Sequence, residues 1–264
     1  MTAHRIWALV SRQLYIFKHS PVRLIEMVYW PLLDLVLWGF VSVYMRHVTP
    51  SAGNTLMAFF LGALILWDVL YRAQQGVSLA YLEEVWARNL LNLFVAPLTV
   101  AEFLTSIVLV SLSKLAFSVV IMAVLALVLY GFNLLSLGVA LIFFFASLLI
   151  FGWSMGIVTT ALVLRFGQGA ENLAWVVAFA FQPIACVFYP VAVLPIWLRP
   201  VALATPAAHV FEGMRDVITG HSVPWAHLAW AFGLNAIYLA IALAFFNWTF
   251  QLVRERGLLA KTGE

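Results

Sequence analysis

The chain of 264 residues is 65% hydrophobic and 9% charged, with a mean hydropathy of +1.03. That composition leaves too little polar surface for a soluble globule, so it predicts an all-α polytopic membrane protein. The formal net charge of +3 fits loops that meet anionic lipid, and the sequence interleaves no basic patch with aromatic residues. We therefore expect contacts with membrane lipids and no nucleic-acid partner.

The first twenty residues predict an interfacial helix. Apolar side chains recur there at helical spacing, at Ile6, Val10, Leu14 and Phe17. Basic residues at positions 12 and 18 interrupt the apolar run, which is atypical of a signal peptide, and can reach phosphate headgroups. A simple membrane-surface anchor and a contact with a partner are equally consistent with this pattern.

Six stretches are long enough to cross a hydrocarbon core about 30 Å thick, which needs roughly 20 helical residues. They are residues 24–45, 55–75, 101–130, 134–164, 171–189 and 226–253. If both termini are cytoplasmic, the lysines and arginines of the loops and span ends divide ten to three in favour of the cytoplasmic side. That excess predicts a multi-pass protein with N-in, C-in orientation.

Charged residues within spans are costly and are therefore functional candidates. Asp68 and Arg72 are four residues apart, and a structural ion pair along one helix is the favoured interpretation. Asp34 and Lys114 lie at similar depths, about 15 Å and about 18–20 Å from the cytoplasmic side at 1.5 Å per residue. We expect these two to pair across the first and third spans, unless one of them faces a wet pathway.

Two other features of the spans concern packing. Aromatic residues are frequent in the first two spans and are typical of interfacial belts, although Trp30 and Trp38 bracket Asp34 at depth. In the fourth span, Gly152 and Gly156 have the small-xxx-small spacing that permits close helix approach. We expect that approach within the subunit rather than at a dimer contact.

The segment of residues 81–94, between the second and third spans, predicts a short amphipathic helix. It is too charged for a crossing and too apolar for a solvated loop. Glu83 and Glu84 near its start favour the helix dipole, Glu84 and Arg88 have the spacing of an ion pair, and Pro97 ends the helix. The helix either lies on the lipid surface or fits the groove of a partner protein.

Half of the ten prolines fall within one 24-residue stretch, at Pro183, Pro190, Pro195, Pro200 and Pro206. Proline removes a backbone donor and clashes with the preceding helical turn. Unpaired backbone at membrane depth is tolerated only where protein or a water-filled cavity covers it. The stretch therefore predicts a broken membrane helix and a transport pathway.

The sequence contains no motif for catalysis. It has no Gly-rich Lys-Ser/Thr loop for nucleotide phosphates, no paired-histidine zinc helix and no serine elbow. His209 and Glu212 lie three residues apart and are able in principle to hold a metal, but a polar helix end is the favoured interpretation and we expect no metal site. The energy for transport must come from an ion gradient or from another polypeptide.

Three runs resemble the ABC-2 type permeases of ATP-binding cassette exporters. The first is Arg88-Asn-Leu-Leu-Asn-Leu-Phe-Val-Ala-Pro-Leu-Thr99, followed by Glu102. The second is Phe188-Tyr-Pro-Val-Ala-Val-Leu-Pro195, and the third is Thr205-Pro-Ala-Ala-His-Val-Phe-Glu-Gly-Met-Arg215, with its Pro-x-x-His-x-x-Glu-Gly-x-Arg pattern. With six spans and an amphipathic N-terminus, the resemblance covers essentially the whole chain.

The resemblance implies a transport subunit, not an enzyme, in a bacterial inner (cytoplasmic) membrane. It implies pairing with a second copy of itself and with two copies of an ATP-binding subunit. That partner would bind ATP and Mg²⁺, and this chain would need no cofactor of its own. The cargo would be amphipathic, lipid-linked or saccharide-type.

The resemblance also implies roles for particular residues. Residues 81–94 would be the helix that couples to the ATPase, through Glu83, Glu84, Val85, Trp86, Arg88 and Leu90. Substrate-pathway candidates are Tyr29, Trp30, Asp34, Trp38 and Phe181. Residues 189–215 would form short re-entrant helices at the exit, with Tyr189, Pro190, Pro195, Pro206, His209, Glu212 and Arg215 as their key residues.

A secondary transporter driven by an ion gradient is the alternative. Such a protein also has broken helices and buried acids, and proton coupling through Asp34 or Asp68 fits that class. However, it typically consists of two related halves, and residues 1–130 show no repeat of residues 131–264. The exporter subunit is therefore the favoured prediction.

Overall fold

The computed structural model describes residues 3–48, 53–87 and 98–255, and these residues form helices with no strand among them. The main helices are α1 (Ala3–Lys18), α2 (Pro21–Val48), α3 (Gly53–Trp86), α4 (Val100–Tyr130), α5 (Ala140–Phe166), α6 (Leu173–Phe181), α7 (Arg199–Leu203), α8 (Pro206–Ile218) and α9 (Trp225–Glu255). Short 3-10 turns cover Leu134–Leu137, Gly167–Ala170 and Val191–Val193. The all-α class expected from composition is confirmed.

Five of these helices are long and apolar enough to cross a membrane, within the part of the chain that the structure describes. They are α2 over Val28–Val48, α3, α4, α5 and α9. Helices α3 and α5 are the most buried, whereas α2, α4 and α9 expose most of their apolar surface. The structure thus supports a multi-pass helical membrane protein with α3 and α5 at its centre.

Helices α3 and α5 approach each other closely at two glycines. A Cβ atom on Gly152 would lie 2.6 Å from the carbonyl oxygen of Leu70, and one on Gly156 would lie 2.7 Å from that of Gln74. Both distances are too short for a side chain. The small-xxx-small spacing therefore serves packing within the subunit, as expected.

The predicted fourth span, 134–164, starts too early. Residues Leu134–Leu137 form a separate 3-10 turn, and α5 begins at Ala140. Gly131 and Gly138, with φ of 68° and 60°, flank the turn in a backbone region that favours glycine. These two glycines allow the chain to reverse between α4 and α5.

The fifth predicted span, 171–189, is helical only in its first half. Helix α6 has nine residues, about 14 Å at 1.5 Å per residue, and turns follow it. The segment still runs along α3: Ala174 accepts a hydrogen bond from Gln74, while the rings of Phe188 and Phe60 have centroids 6.4 Å apart. From 74 to 60 is about 21 Å along α3. We call residues 173–191 the broken segment.

The predicted separate helix over 81–94 is also wrong for the part that the structure describes. Residues 81–86 continue α3 without a break, and α3 spans 34 residues. Glu84 and Val85 are buried, Glu83 is half-buried and Trp86 is exposed. The sequence pattern misled because a buried helix end and an amphipathic loop helix have the same mixture of apolar and charged residues. Arg88 and Leu90 lie outside the described residues.

Helix α1 turns its predicted apolar face towards the bundle. Val10 is buried, and Phe17 lies 5.0 Å below the Lys114 ammonium, measured to the ring centroid. Near the other end of α1, Arg5 lies 3.8 Å from Glu102 of α4. Residues 5–17 of α1 therefore run parallel to residues 102–114 of α4. We refer to this end of the bundle, where α3 ends and α4 begins, as the α1 end.

An ion pair fastens α1 to the end of α3. The guanidinium of Arg12 donates to the carboxylate of Glu84, which also accepts from the Gln13 amide at 2.9 Å. The Glu84 side chain is only 6% exposed, so its charge needs these donors. Glu84 therefore serves α1 packing, and the predicted pair with Arg88 falls outside the described residues.

The Arg12 to Gln substitution is expected to loosen α1, because it removes a charged donor from the buried Glu84 carboxylate. Hydrogen bonds to charged groups contribute about 1.5–3 kcal/mol, and we expect a loss in that range. Hydrogen exchange of the α1 amides should accelerate in Arg12→Gln. The control is Arg5→Gln, which removes the longer ion pair of the same helix, 3.8 Å from Glu102. Equal exchange in both variants would contradict this role for Arg12.

Candidate functional site

The broken segment is held by one face of α8. This helix begins at a Thr205 N-cap, whose hydroxyl accepts from the amide of Ala208, and Pro206 occupies the first turn, where its missing N–H costs nothing. The first six residues of α8 are buried on all sides, including His209 and Phe211. Arg215, nine residues after Pro206, projects towards the broken segment.

Arg215 binds three carbonyl groups of the broken segment. Its Nη2 donates to the carbonyl oxygen of Val187 at 3.2 Å, to that of Tyr189 at 2.7 Å and to that of Cys186. These carbonyls lack helical partners because the chain has left α6. Since apolar surroundings offer no water to replace those partners, the guanidinium, with five donors, takes their place.

Glu212 completes this clamp, which we define as Arg215 and Glu212. Its carboxylate accepts from the backbone N–H of Val191 at 2.6 Å and lies 3.2 Å from Nη1 of Arg215. The guanidinium of Arg215 also stacks over the ring of Phe59 in α3 at 4.8 Å. The clamp therefore ties α8, the broken segment and α3 together.

The backbone inside the clamp is strained. Cys186 has a φ of 55°, and it is the one residue other than glycine in the described ranges with a positive φ. Cys186 is also fully buried. Such strain persists only where surrounding contacts determine the conformation, and the bond from Arg215 to the Cys186 carbonyl is one of these contacts.

Tyr189, Arg199 and the prolines stabilise the rest of the predicted exit segment. The hydroxyl of Tyr189 donates to the carbonyl of Pro183 at 2.7 Å. Arg199 donates to the carbonyls of Ala192 and Leu194 at 2.6 and 2.9 Å. Pro190 precedes the 3-10 turn, and Pro195 and Pro206 each begin a new turn or helix. The helices α7 and α8 here are short, as expected, while their re-entrant placement stays a prediction.

The five predicted pathway residues do not line one common cavity. Trp38 stacks on Phe188 of the broken segment, with centroids 4.4 Å apart. Tyr29 and Trp30 contact each other and are exposed on the surface of α2. Phe181, at the end of α6, packs edge-on against α5. Only Trp38 and Phe181 therefore contact the bundle interior near the break.

The expected pair of Asp34 and Lys114 is not formed among the described residues. Lys114 lies over Phe17 of α1, whereas Asp34 is exposed on α2 and interacts electrostatically with Arg72. Equal depth along two helices does not determine the direction in which each side chain points. Depth was the only basis of the prediction, and that is why it failed.

The Asp68 and Arg72 pair is confirmed. Nε of Arg72 lies 2.9 and 2.7 Å from the two carboxylate oxygens of Asp68, which also accepts from the Ser118 hydroxyl at 3.3 Å. Asp68 is 8% exposed. Asp34 of α2 adds a second carboxylate nearby. The polar cluster of Asp34, Asp68 and Arg72 therefore contains two acids and one arginine.

Trp86 connects the surface of the α1 end to the start of the broken segment. Its indole N–H donates to the Glu171 carboxylate at 3.1 Å, and Glu171 lies two residues before α6. Trp86 is 47% exposed, so it is accessible to a partner. The sequence alone did not indicate this contact, because 85 residues separate the two side chains.

Comparison with known proteins assigns no family to the chain. No protein-family model matches it, and a search of curated proteins finds no match. The resemblance to ABC-2 permeases therefore rests on the three sequence runs quoted above. The function must be inferred from the geometry of the clamp, the broken segment and the α1 end.

Proposed function

We propose that the chain is the membrane subunit of an ATP-driven exporter that moves amphipathic, lipid-linked or saccharide-type cargo out of the cytoplasm. The observation that carries the proposal is the clamp of Arg215 and Glu212 on a non-helical stretch that runs along α3. Membrane proteins tolerate such backbone only where it is covered by protein or lines a cavity. The broken segment would add a sixth crossing to the five long helices, the fifth in chain order, and would be part of the pathway.

A separate subunit would supply the energy. The sequence has no phosphate-binding loop, so two copies of an ATP-binding subunit would bind ATP and Mg²⁺ and would dock at the α1 end of two copies of this chain. Among the described residues of the predicted coupling set, Trp86 is the most exposed, and it contacts Glu171 beside α6. A partner that moves Trp86 would therefore act directly on the broken segment.

The mechanism follows from differential stabilisation. ATP binding to the partner would favour one position of the α1 end. The helices would then populate whichever of the inward-facing and outward-facing packings fits that position, and ATP hydrolysis would reset the equilibrium. The conformational change would be concentrated at the break after Phe181, because turns there replace continuous helical hydrogen bonds. The rigid α3 and α5 core would remain fixed.

The experiment is a pull-down of the tagged chain from its native membrane in mild detergent, followed by an ATPase assay. We expect wild type to recover a stoichiometric ATP-binding subunit and Trp86→Ala to lose it. Trp197→Ala is the matched control, because Trp197 is 74% exposed and lies in the segment before α7, away from the α1 end. Loss of the subunit in both variants would contradict docking at Trp86.

The second candidate, a transporter driven by an ion gradient, is favoured by one observation. Asp34 is exposed in the middle of α2, beside the Asp68 and Arg72 pair. Charged groups at that depth often serve proton or cation pathways. Recovery of the chain alone, with ionophore-sensitive transport in proteoliposomes and no need for ATP, would establish this candidate and exclude the exporter.

A further inference from the structure

Two exposed aromatic rings support an exposed arginine at the α1 end. The guanidinium carbon of Arg165, in the last turn of α5, lies 5.3 Å from the ring centroid of Phe166 and 5.3 Å from that of Trp248 in α9. All three side chains are exposed. We call these three residues the Arg165 site. Its two cation–π contacts hold the guanidinium against α9 at the surface of the bundle.

The N–H groups of Arg165 are available to a ligand. Within the ranges that the structure describes, no acid pairs with Arg165 and no oxygen accepts a hydrogen bond from it. By contrast, the guanidinium groups of Arg12, Arg72 and Arg215 all contact carboxylates. Aromatic rings contact a guanidinium through its face, so the five N–H donors at its edge stay accessible. The indole of Trp248 adds a further N–H donor beside them.

The Arg165 site lies at the depth of lipid headgroups. Residues 140–164 of α5, which precede Arg165, carry no charge and extend about 37 Å at 1.5 Å per residue. In α9, the first lysine, arginine or acid is Arg254, one and a half turns after Trp248. Since a hydrocarbon core is about 30 Å thick, both uncharged runs reach the membrane interface at this end. Tryptophan is typical of that level.

An exposed apolar stripe on α9 leads away from the site towards the opposite end of the bundle. The stripe consists of Ile237, Ile241 and Ala244, which are exposed. Together with Trp248 they are spaced by four, three and four residues, so they share one helix face. From 237 to 248 the stripe is about 16 Å long. A phosphate bound at Arg165 would therefore place its acyl chains beside an apolar surface.

We propose that Arg165 and Trp248 bind the phosphate of an anionic phospholipid, whose acyl chains lie along the stripe of α9. The planar fork of guanidinium donors matches two phosphate oxygens, and the two rings fix its orientation. A soluble partner at the α1 end would meet the charge of Arg165 but not the stripe, whereas a phospholipid contacts both. The site needs a membrane and no ATP-binding subunit, so its failure and that of the exporter proposal are distinguishable.

The test is native mass spectrometry of the purified full-length chain in mild detergent, titrated with phosphatidylglycerol and with phosphatidylcholine of the same acyl chains. We expect wild type to bind one phosphatidylglycerol more tightly than phosphatidylcholine, because the choline ammonium repels the guanidinium. Arg165→Gln should weaken phosphatidylglycerol binding by about tenfold or more, since it removes hydrogen bonds from a charged donor. Trp248→Leu should weaken it less. Both positions are exposed, so the melting temperatures without lipid should equal that of wild type.

The matched control is Arg254→Gln, which removes the same charge from the same end of the bundle. Arg254 is exposed, and its side chain stacks on no ring in the described ranges. This variant should keep the preference of wild type for phosphatidylglycerol. Equal weakening in Arg165→Gln and Arg254→Gln would assign the preference to net charge and overturn the proposal, as would the absence of any preference in wild type.

Two further measurements separate the lipid from other ligands. Excess glycerol phosphate should not displace phosphatidylglycerol, because it cannot occupy the stripe of α9. Displacement would mean that the site binds free phosphate, and would overturn the proposal. In the membrane pull-down, Arg165→Gln should recover the ATP-binding subunit as wild type does. Loss of that subunit with an unchanged lipid preference would make Arg165 a protein-docking residue and would overturn the proposal too.

Discussion

Replacing Arg215 with methionine is expected to cost about 3 kcal/mol of unfolding free energy, because it removes one member of a largely buried ion pair, whose side chains are 14% and 22% exposed. Here the loss also strands the carbonyls of Cys186, Val187 and Tyr189 without their donor. An equilibrium unfolding titration in mixed detergent and dodecyl sulfate micelles measures the loss. Amide exchange after α6 should accelerate in the same variant.

Two further variants test the reason for that loss. Arg199→Met removes an arginine that binds the carbonyls of Ala192 and Leu194 in a more accessible place, and we expect a loss of about 1–2 kcal/mol. Arg215→Lys keeps the charge but not the planar fork of donors, so its loss should be intermediate. If Arg215→Met is no more destabilising than Arg199→Met, the broken segment is not held by the clamp.

Gly152→Leu is expected to destabilise the bundle by about 3 kcal/mol or more, because the new side chain has no room between α5 and α3. A Cβ atom alone would lie 2.6 Å from both the Leu70 carbonyl oxygen and the Ala73 Cβ. Backbone on the facing helix cannot rotate away as a flexible side chain would. The two central helices would have to separate, and the same unfolding titration measures that cost.

Gly233→Leu is the matched control. Gly233 lies in α9, and a Cβ there meets no atom within 4 Å. Since leucine has a higher helix propensity than glycine, this variant should be neutral or gain about 0.5–1 kcal/mol. Similar losses at Gly152 and Gly233 would mean that helix flexibility, and not close packing of α3 on α5, requires the glycine.

The hydrogen bond between Trp86 and Glu171 joins the end of α3 to the residues that precede α6. The predicted coupling helix was placed after the second span, but the structure extends α3 to Trp86 and buries Glu84 against α1. Helix α1 therefore supports the end of α3 from one side. Of the described coupling candidates, Trp86 alone is both exposed and hydrogen-bonded to Glu171, which lies just before the broken segment.

Local patterns predicted part of the local structure. The helix over Val100–Tyr130 agrees with the prediction 101–130 to within one residue, because Thr99 and Glu102 form a capping box that defines its start. The Asp68 and Arg72 pair was predictable because both residues lie on one helix, four positions apart. The apolar face of α1 was predictable for the same reason.

Contacts between helices were not predictable in this way. The sequence gives the depth of Asp34 and Lys114 but not their direction around the helix axis, so their expected pair was wrong. The prolines indicated a break, and α6 ends at Phe181, two residues before Pro183, as the missing donor and the clash of a proline require. The sequence also does not show that Arg215 would satisfy the carbonyls left by that early ending.

The sequence by itself determined that the chain belongs in a membrane, that it is helical and where its longest helices lie, because apolar length and helix capping depend on neighbouring residues. Only the tertiary structure decided which helices are central, that α1 is fastened to α3 through Arg12 and Glu84, and that Arg215 and His209 serve different partners. Those outcomes depend on the rotation and spacing of packed helices, and packing joins side chains that lie far apart in the sequence.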